Sequence, residues 1–533
     1  MPCDTGHDWW RSAVIYQVYP RSFADSNGDG VGDLPGITSR LPYLADLGVD
    51  AIWLSPFYPS AHEDGGYDII DFRDVDPLFG NLDDFDALVA RAKRLGLRVL
   101  VDLVPNHTSR HHPWFLESRA SRTAARRNWY IWADPAKDGG PPNNWRAVTG
   151  GSAWTLDEAT GQYYMHSFFA AQPDLNWRNP NVREAMAEIM RFWLDRGIDG
   201  FRVDMIDYLL KDEALRDEPV DDKGWYDHPL AKYQLNQWGV VDIMRGLRRV
   251  VDGYPGARIL LGEVESRLPI DVLVRYYGTA GQLDVLHLPF NFWLLFLPWQ
   301  SAALERFITD YDAAVPEGAV PNWVLGNHDV PRPATRLGVA QARAAMVLLL
   351  TLRGAPVVYY GDELGMPNVP IPPERIQDPW SAALPGGGRD PARTPMRWNG
   401  GPTAGFCPEH AVPWLPVGDG LETVNVEDQR QDPRSMLALT KALLTLRRAR
   451  PALRDGSLRC IQGPPGIIAF SRVLHEERFL VALNTTDGTL DMPLPPGTVG
   501  VVRLSSAMDR TGTCSALRLR AHEACVLEWV HRS

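Results

Sequence analysis

The stretch DFDALVARAKRLGLRVLVDLVPNH (residues 84–107) contains two periodicities in succession. Its first half predicts a helix over residues 84–95, because four apolar side chains recur there at helical spacing: Phe85, Leu88, Val89 and Ala92. Its second half, residues 97–103, is a short segment rich in Leu and Val that predicts a buried strand. A one-sided helix next to such a strand is typical of a parallel sheet covered by helices.

Seven further short apolar runs alternate with helical segments along the chain. They are residues 14–19, 51–54, 198–203, 258–261, 283–286, 323–325 and 356–360. Together with residues 97–103 they make eight strand–helix units, which is the number that a closed barrel requires. We therefore predict an α/β chain built on a (β/α)8 TIM barrel, with an open doubly wound sheet as the alternative.

Two parts of the chain depart from this alternation. Residues 134–153 are rich in Gly, Pro, Asn and Trp and lack periodicity, in an unusually long connection between the third and fourth predicted strands. We predict a small inserted domain over residues 107–172, so that the barrel comprises residues 1–106 and 173–451. Period-two alternation after the barrel predicts a C-terminal antiparallel β-sandwich over residues 452–533.

Charge and cysteine content narrow the function. The 533 residues carry a formal net charge of −12, so we expect neither nucleic acid nor an anionic membrane as a partner, but a neutral small molecule. Five scattered cysteines without a CxxC pair predict reduced thiols. The sequence shows neither an export signal nor a long uncharged apolar run, which predicts a cytoplasmic protein. The pattern does not predict an oligomeric state.

Four of the predicted strands end in polar residues. The segments are DLVPNH (102–107), GFRVD (200–204), LGEVE (261–265) and LGNHD (325–329). Each one alone is compatible with an ion-paired strand end or a helix cap. Because the carboxyl ends of all barrel strands meet at one mouth, four such ends together indicate a catalytic site.

These segments, together with QPDLN (172–176) and RTPMRW (393–398), resemble the signature motifs of glycoside hydrolase family 13, in its oligo-1,6-glucosidase and bacterial α-glucosidase branch. The resemblance implies an exo-acting α-glucosidase that cleaves short α-glucosides with retention of configuration. It assigns the nucleophile to Asp204, the general acid/base to Glu263 and transition-state stabilisation to Asp329. It also implies that three further residues orient the nucleophile and bind sugar hydroxyls: Arg202, His107 and His328.

The chemistry explains these residue types. Retention requires two carboxyl groups about 5 Å apart, of which one attacks the anomeric carbon and the other protonates the leaving oxygen. Asp204 next to the cationic Arg202 is expected to stay ionised, whereas Glu263 after an apolar strand is expected to have a raised pKa. Glu265 is a competing acid by residue type and is expected on the same strand face as Glu263. Only the resemblance selects Glu263.

The segment EDGGYD (63–68) resembles the motif that closes the sugar subsite in this family. The resemblance implies that Tyr67 stacks on the glucose ring, that Asp64 holds the terminal hydroxyl groups and that Arg393 pairs with Asp64. Phe168 is expected to form another wall of the pocket. Val148 and Thr149 occupy positions where relatives often have adjacent Phe residues, so part of the pocket wall is expected to differ.

An acidic loop, DSNGDGVGD (25–33), follows the first predicted strand. Oxygen-bearing side chains alternate with small residues there, as in calcium loops, although the distal Glu and flanking helices of an EF-hand are missing. The loop resembles the structural calcium loop of this family's α-glucosidases, which implies Ca²⁺ bound by Asp25, Asn27, Asp29, Val31 and Asp33. The alternative is a solvated acidic turn.

Other functions share this fold. Non-catalytic heavy chains of amino-acid transporters are such barrels, but they are expected to have a membrane span and eroded catalytic motifs. A trehalose-forming or sucrose-type glucosyl isomerase or transferase would use the same nucleophile in a more enclosed pocket. Met205 follows the nucleophile at a position where Val accompanies α-1,6 activity in resembling enzymes. The unbranched Met predicts loose linkage selectivity, with maltose cleaved and isomaltose or trehalose also accepted.

Overall fold

The computed structural model of the chain describes residues 8–220, 231–265, 268–279, 281–382, 388–494 and 497–531. The strands in these residues are, in chain order, β1 (Ile15–Val18), β2 (Ala51–Leu54), β3 (Arg98–Leu103), β4 (Trp132–Ala133), β5 (Trp154–Asp157), β6 (Gln162–Met165), β7 (Gly200–Val203), β8 (Ile259–Gly262), β9 (Leu288–Pro289), β10 (Asn322–Val324), β11 (Ala355–Tyr359), β12 (Ser457–Cys460), β13 (Ile467–Leu474), β14 (Glu477–Asn484), β15 (Leu490–Pro493), β16 (Thr498–Ser505), β17 (Gly512–Cys514), β18 (Ala516–Leu519) and β19 (Ala524–His531).

The α-helices of the described residues cover most of the connections between these strands. They are α1 (Pro20–Phe23), α2 (Leu34–Leu47), α3 (Leu82–Arg94), α4 (Pro113–Arg119), α5 (Pro180–Asp195), α6 (Val240–Asp252), α7 (Ile270–Leu273), α8 (Trp293–Phe296), α9 (Ser301–Ala314), α10 (Pro333–Leu337), α11 (Val339–Thr351), α12 (Val426–Gln431), α13 (Met436–Ala449) and α14 (Pro451–Asp455).

Eight strands form a parallel, nearly closed barrel, as predicted. Their order is β10-β11-β1-β2-β3-β7-β8-β9, so that β11 returns to pair with β1. One buried apolar cluster draws side chains from strands around the sheet, among them Ile15, Trp53, Leu100, Leu261 and Val357. The interior is therefore a packed core, and the polar strand ends lie together at the carboxyl end of the sheet.

Helix α3 illustrates how local sequence determines these elements. Asn81 and Asp84 form a reciprocal capping box at its N-terminus. The four residues predicted to form its apolar face, Phe85, Leu88, Val89 and Ala92, are its buried residues. Helical periodicity and capping chemistry therefore agree at this position.

The predicted position of the sixth barrel strand is wrong. Residues 283–286 are not a strand, because Leu283 has a left-handed backbone (φ 48°) and the Leu286 N–H donates to the Tyr276 carbonyl. The strand is β9, whose residues Leu288 and Pro289 pair with Leu261 and Gly262. A short apolar run does not reveal by itself which of its residues pair with the sheet.

The predicted insertion and the predicted C-terminal domain each contain separate sheets. Strands β4, β6 and β5 form a three-stranded antiparallel sheet between residues 132 and 165. After the barrel, β12-β13-β14-β19-β16-β17 form a six-stranded sheet and β15-β18 a two-stranded one. The exact domain boundaries remain predictions.

Two sequence expectations concern the thiols and the membrane. Cys407, Cys460, Cys514 and Cys525 are free, whereas Cys3 lies outside the described residues. Among the helices that the structure describes, none is both long and apolar enough to cross a bilayer.

Two buried arginines satisfy carbonyl groups where the barrel meets the C-terminal sheet. Arg472 on β13 donates to the carbonyl oxygens of Thr351, Leu453 and Gly456 at 2.5, 2.8 and 3.0 Å. Arg447 on α13 donates to Leu350, Leu352 and Gly354. Several of these carbonyls belong to the C-terminal end of α11, where the helix leaves acceptors unsatisfied and favours cations.

We expect the substitution Arg472→Met to lower the free energy of unfolding by about 2–4 kcal/mol, because it leaves buried carbonyl groups without donors. Differential scanning calorimetry would measure the loss, together with earlier proteolysis of the C-terminal sheet. Arg459→Met, on the exposed side of β12, is the matched control and should change little. Equal melting temperatures for the two variants would contradict the assigned role of Arg472.

Candidate active site

Arg202 lies at the centre of the polar strand ends. It occupies β7 and is 1% exposed. Its Nη1 contacts Asp102 Oδ1 at 2.8 Å and Asp204 Oδ1 at 2.7 Å, and its Nη2 donates to Glu263 Oε2. Neighbouring strands β3, β7 and β8 supply these groups. One guanidinium therefore holds together the two acids predicted as nucleophile and general acid/base.

Asp102 is a site residue that sequence reasoning quoted within a motif but did not assign. It is fully buried, and its Oδ2 accepts hydrogen bonds from Trp53 Nε1 at 3.1 Å and from the Tyr67 hydroxyl at 3.2 Å. The Arg202 guanidinium also lies over the Trp53 ring, at 4.9 Å from its centroid. Asp102 and the Trp53 ring thus fix the position of the Arg202 guanidinium, and its nitrogens are oriented towards Asp204 and Glu263.

The environment of Glu263 differs from that of Asp329. Burial raises the pKa of Glu263 well above its ordinary value against the opposing effect of Arg202, and the negative charges of Asp204 and Asp329 raise it further. The side chain of Asp329 is 33% exposed, and although its partial burial raises the pKa, the nearby His328, Arg389 and Arg393 outweigh that effect and lower it. Glu263 is thus suited to hold a proton at neutral pH, while Asp329 stays ionised.

An ion pair at one end of the acid cluster differs from the predicted one. Arg393 was predicted to pair with Asp64; instead Arg389 Nη2 pairs with Asp64 Oδ1 at 2.5 Å. Arg393 Nη2 contacts Asp329 Oδ1 at 3.1 Å and its Nε donates to the His328 carbonyl. Arg389 also contacts Asp329 at 3.3 Å and Asp378 at 2.8 Å.

Aromatic and imidazole rings line the region between these charges. Tyr67 and His328 are stacked, with ring centroids 5.4 Å apart and planes 1° apart. His107 packs edge-on against Phe168 at 5.3 Å, and Phe168 lies 5.4 Å from Tyr208. The residues predicted to bind substrate therefore form one continuous set of contacts with the acids.

Two residues of the QPDLN motif, Gln172 and Asp174, make hydrogen bonds to residues of the site. Gln172 Nε2 donates to Asp64 Oδ2 at 3.0 Å and lies 3.1 Å from His107 Nε2. Asp174 accepts from Asn106 at 3.0 Å and from the Lys211 ammonium at 2.5 Å. The motif thus joins the inserted segment to the strand ends that carry the site.

Val148 and Thr149, which stand where relatives often have adjacent Phe residues, lie in the same region. The Val148 N–H donates to the Ser167 carbonyl at 2.8 Å, and the Thr149 hydroxyl donates to the Phe168 carbonyl at 3.3 Å. The pair therefore supports the loop that carries Phe168.

Met205 follows Asp204 in a left-handed conformation (φ 36°, ψ 55°). This backbone is rare for a side chain larger than glycine, so it marks a constrained turn directly after Asp204. Met205 is partly buried against the main core.

The acidic loop satisfies its own carboxylates. Asp25 accepts from the backbone N–H groups of Asn27, Gly28 and Gly30, and Asp33 caps α2 by accepting from Gly36. Across the described residues, no three His, Cys, Asp or Glu side chains are grouped so that they could hold a metal ion. The fold of the loop does not supply a carboxylate cluster for Ca²⁺, whose binding stays a prediction.

The raised pKa of Glu263 predicts a pH-dependent stability. An unfolded Glu titrates near a pKa of about 4.3, so wild-type stability should fall as pH rises from there towards the raised folded value. Glu263→Gln has no such proton. We therefore expect its melting temperature relative to wild type to rise by about 1–3 °C for each pH unit between pH 5 and 7. Glu213→Gln, with a side chain 81% exposed, should show no such trend. A pH-independent difference for Glu263→Gln would refute the assignment.

Comparisons with known proteins agree with this geometry. Residues 17–456 match the family model described as "Alpha amylase, catalytic domain". The chain is 42% identical to a probable alpha-glucosidase of Rhizobium meliloti (strain 1021), over 92% of this chain and 91% of the relative. It is 36% identical to the oligo-1,6-glucosidase of Parageobacillus thermoglucosidasius, over 97% and 98% of the two chains.

A solved structure covers the whole architecture. The alpha-glucosyl transfer enzyme XgtA superposes with a TM-score of 0.91 at 39% identity, over 98% of this chain and 99% of that one. The family match extends over most of the chain and includes the barrel strands that hold Arg202 and its acids. The chain therefore belongs to the α-amylase family, glycoside hydrolase family 13, and is a glycoside hydrolase.

Proposed function

We propose that this glycoside hydrolase is an exo-acting α-glucosidase that releases the non-reducing terminal glucose of short α-glucosides with retention of configuration. The observation that carries the proposal is the pair of acids on one guanidinium, with Asp204 and Glu263 bonded to different nitrogens of Arg202. Inverting enzymes separate their carboxyl groups by about 6.5–9.5 Å to admit water, and a shared guanidinium favours the shorter separation of retaining enzymes.

The two acids divide the reaction between them. The Asp204 carboxylate attacks the anomeric carbon while the bond to the leaving oxygen breaks and Glu263 transfers its proton to that oxygen. Water then attacks the glucosyl–Asp204 ester, Glu263 takes the proton from the water, and Asp204 leaves as a carboxylate. Burial raises the pKa of Glu263, so this residue keeps the proton that it donates in the first step.

The end of the site that contains Asp64 and Arg389 supports an exo mode of attack. Asp64 and Asp329 are bridged by Arg389, and Gln172 holds the second oxygen of Asp64. These groups form a polar wall at one end of the acid cluster, suited to the hydroxyl groups of a terminal sugar. With Tyr67 as the stacking ring, this end accommodates one glucose beyond the scissile bond.

Transfer is the second candidate. Similarity to an alpha-glucosyl transfer enzyme favours some glucosyl transfer. Hydrolysis and transfer differ only in which acceptor meets the glucosyl–Asp204 ester. A non-catalytic barrel is disfavoured, since Asp204, Glu263 and Asp329 all surround Arg202 and its neighbours.

The catalytic assignment predicts the behaviour of two variants. Asp204→Asn and Glu263→Gln should each lower kcat on maltose by at least about 10³-fold without unfolding the protein. With the wild type, glucose should be the first product from maltotriose and maltoheptaose. Maltotriose or longer first products from soluble starch would contradict the exo assignment, and an active, folded Asp204→Asn enzyme would contradict covalent catalysis.

Linkage preference should depend on Met205. Wild type is expected to cleave both maltose and isomaltose, with discrimination within roughly 10–200-fold if one apolar contact decides it. Met205→Val should shift kcat/KM towards isomaltose and lower stability, since a β-branched residue is strained at positive φ. Met205→Leu, which keeps an unbranched Cβ, is the control for strain. An unchanged ratio would show that Met205 does not contact the leaving sugar.

A further inference from the structure

Strands β7 and β8 stop just before the two catalytic acids, and their pairing continues in an altered form. The last strand pair is Val203 with Gly262. Beyond it, the Glu263 N–H donates to the Val203 carbonyl at 2.8 Å and the Ile206 N–H donates to the Glu263 carbonyl at 2.9 Å. The second bond comes from Ile206, although a regular parallel ladder would use Met205.

The left-handed backbone of Met205 explains this slip. It turns the chain into a short 3-10 helix, in which the Met205 carbonyl accepts from the Tyr208 N–H at 3.2 Å. In a regular ladder the Glu265 N–H would bond to that carbonyl. The Glu265 N–H instead donates to Oδ2 of the Asp207 side chain at 3.1 Å.

We propose that Asp207 is a positioning residue that sets the placement of Glu263 relative to Asp204, by supplying from its side chain the last rung between the two acid-bearing segments. Glu263 lies between the rung at Val203 and the rung at Asp207, so its backbone is held on both sides. The inference rests on the proposed glucosidase function, because it concerns the acid that protonates the leaving group.

The surroundings of Asp207 keep this rung in place. Asp207 is fully buried, and its backbone carbonyl accepts from the Asn236 N–H at 2.8 Å. Asn236 in turn accepts from the Tyr276 hydroxyl at 2.5 Å. Asp207 therefore connects the nucleophile segment to two other segments on the same side of the barrel.

The geometry requires an acceptor at Asp207 but no charge. Burial and the neighbouring Glu265 carboxyl group raise the pKa of Asp207 to about 8, and the backbone N–H groups of Glu265 and Asp207 and the positive charge of Lys211 offset this only in part. The Lys211 ammonium is bonded to Asp174 and Asn106, and in the part of the chain that the structure describes Tyr208 and Tyr276 also face Asp207. At neutral pH Asp207 is therefore a neutral acid, which accepts the Glu265 N–H without adding a charge near Glu263.

Substrates that differ in their need for acid separate positioning from general structural support. The leaving glucose of maltose must be protonated, whereas fluoride leaves from α-D-glucosyl fluoride with little help from an acid. In Asp207→Leu and Asp207→Ala, we expect kcat/KM for maltose to fall about 10–100-fold, and kcat/KM for the fluoride less than about 3-fold. Asp207→Asn, whose amide oxygen can accept the Glu265 N–H, should recover most of the maltose activity.

Controls make the outcomes distinct. Asp271 lies on α7 with a side chain 74% exposed, so Asp271→Leu should leave kcat/KM unchanged for both maltose and the fluoride. Asp207→Asn should also gain melting temperature relative to wild type as pH rises from 5 to 8, because the raised pKa of Asp207 costs wild-type stability in that range. Equal losses on both substrates in the folded Leu and Ala variants, or no recovery with Asn, would overturn the inference. Wild-type inactivity on both substrates would instead contradict the proposed function.

Discussion

A single buried cation holds this site together. Arg202 is almost completely enclosed, and a guanidinium in such a place is tolerable only if charges and hydrogen bonds surround it. Asp102, Asp204 and Glu263 provide them from three adjacent strands. The guanidinium in turn offsets the electrostatic repulsion among these carboxyl groups, which lie close together around it. The ion cluster around Arg202 therefore depends on the register of three adjacent barrel strands, and it sets the protonation of the acids.

The same balance of charge organises the end of the site that contains Asp64 and Asp329. Asp64 and Asp329 are held by Arg389 and Arg393, which arrive on a segment far along the chain from both acids. Glu263 has fewer compensating contacts, and burial raises its pKa while that of Asp329 is lowered. Two carboxyl groups at the same end of the barrel thus acquire opposite protonation states from the positions of a few arginines.

Polar side chains around the barrel fix the backbone beyond the ends of its strands and helices, where regular hydrogen bonding has stopped. Asp174 and Lys211 anchor the inserted segment, and the side chain of Asp207 replaces a backbone carbonyl beyond the end of β7. Arg447 and Arg472 satisfy the carbonyls at the end of α11 where the C-terminal sheet packs. In each case a polar side chain occupies the point at which regular hydrogen bonding stops.

The sequence by itself determined the barrel and the long connection after its third strand, because helical and strand periodicity are local. Polar strand ends indicated a site at the mouth of the barrel, but the roles predicted for the individual acids came from the family resemblance. The sequence did not determine the sixth strand, since the apolar run 283–289 has several equivalent registers and only the neighbouring β8 selects one. It also assigned Arg393 to Asp64, although Arg389 is the partner. Both arginines lie four residues apart in one segment, and only the tertiary path of that segment decides which guanidinium reaches which carboxylate.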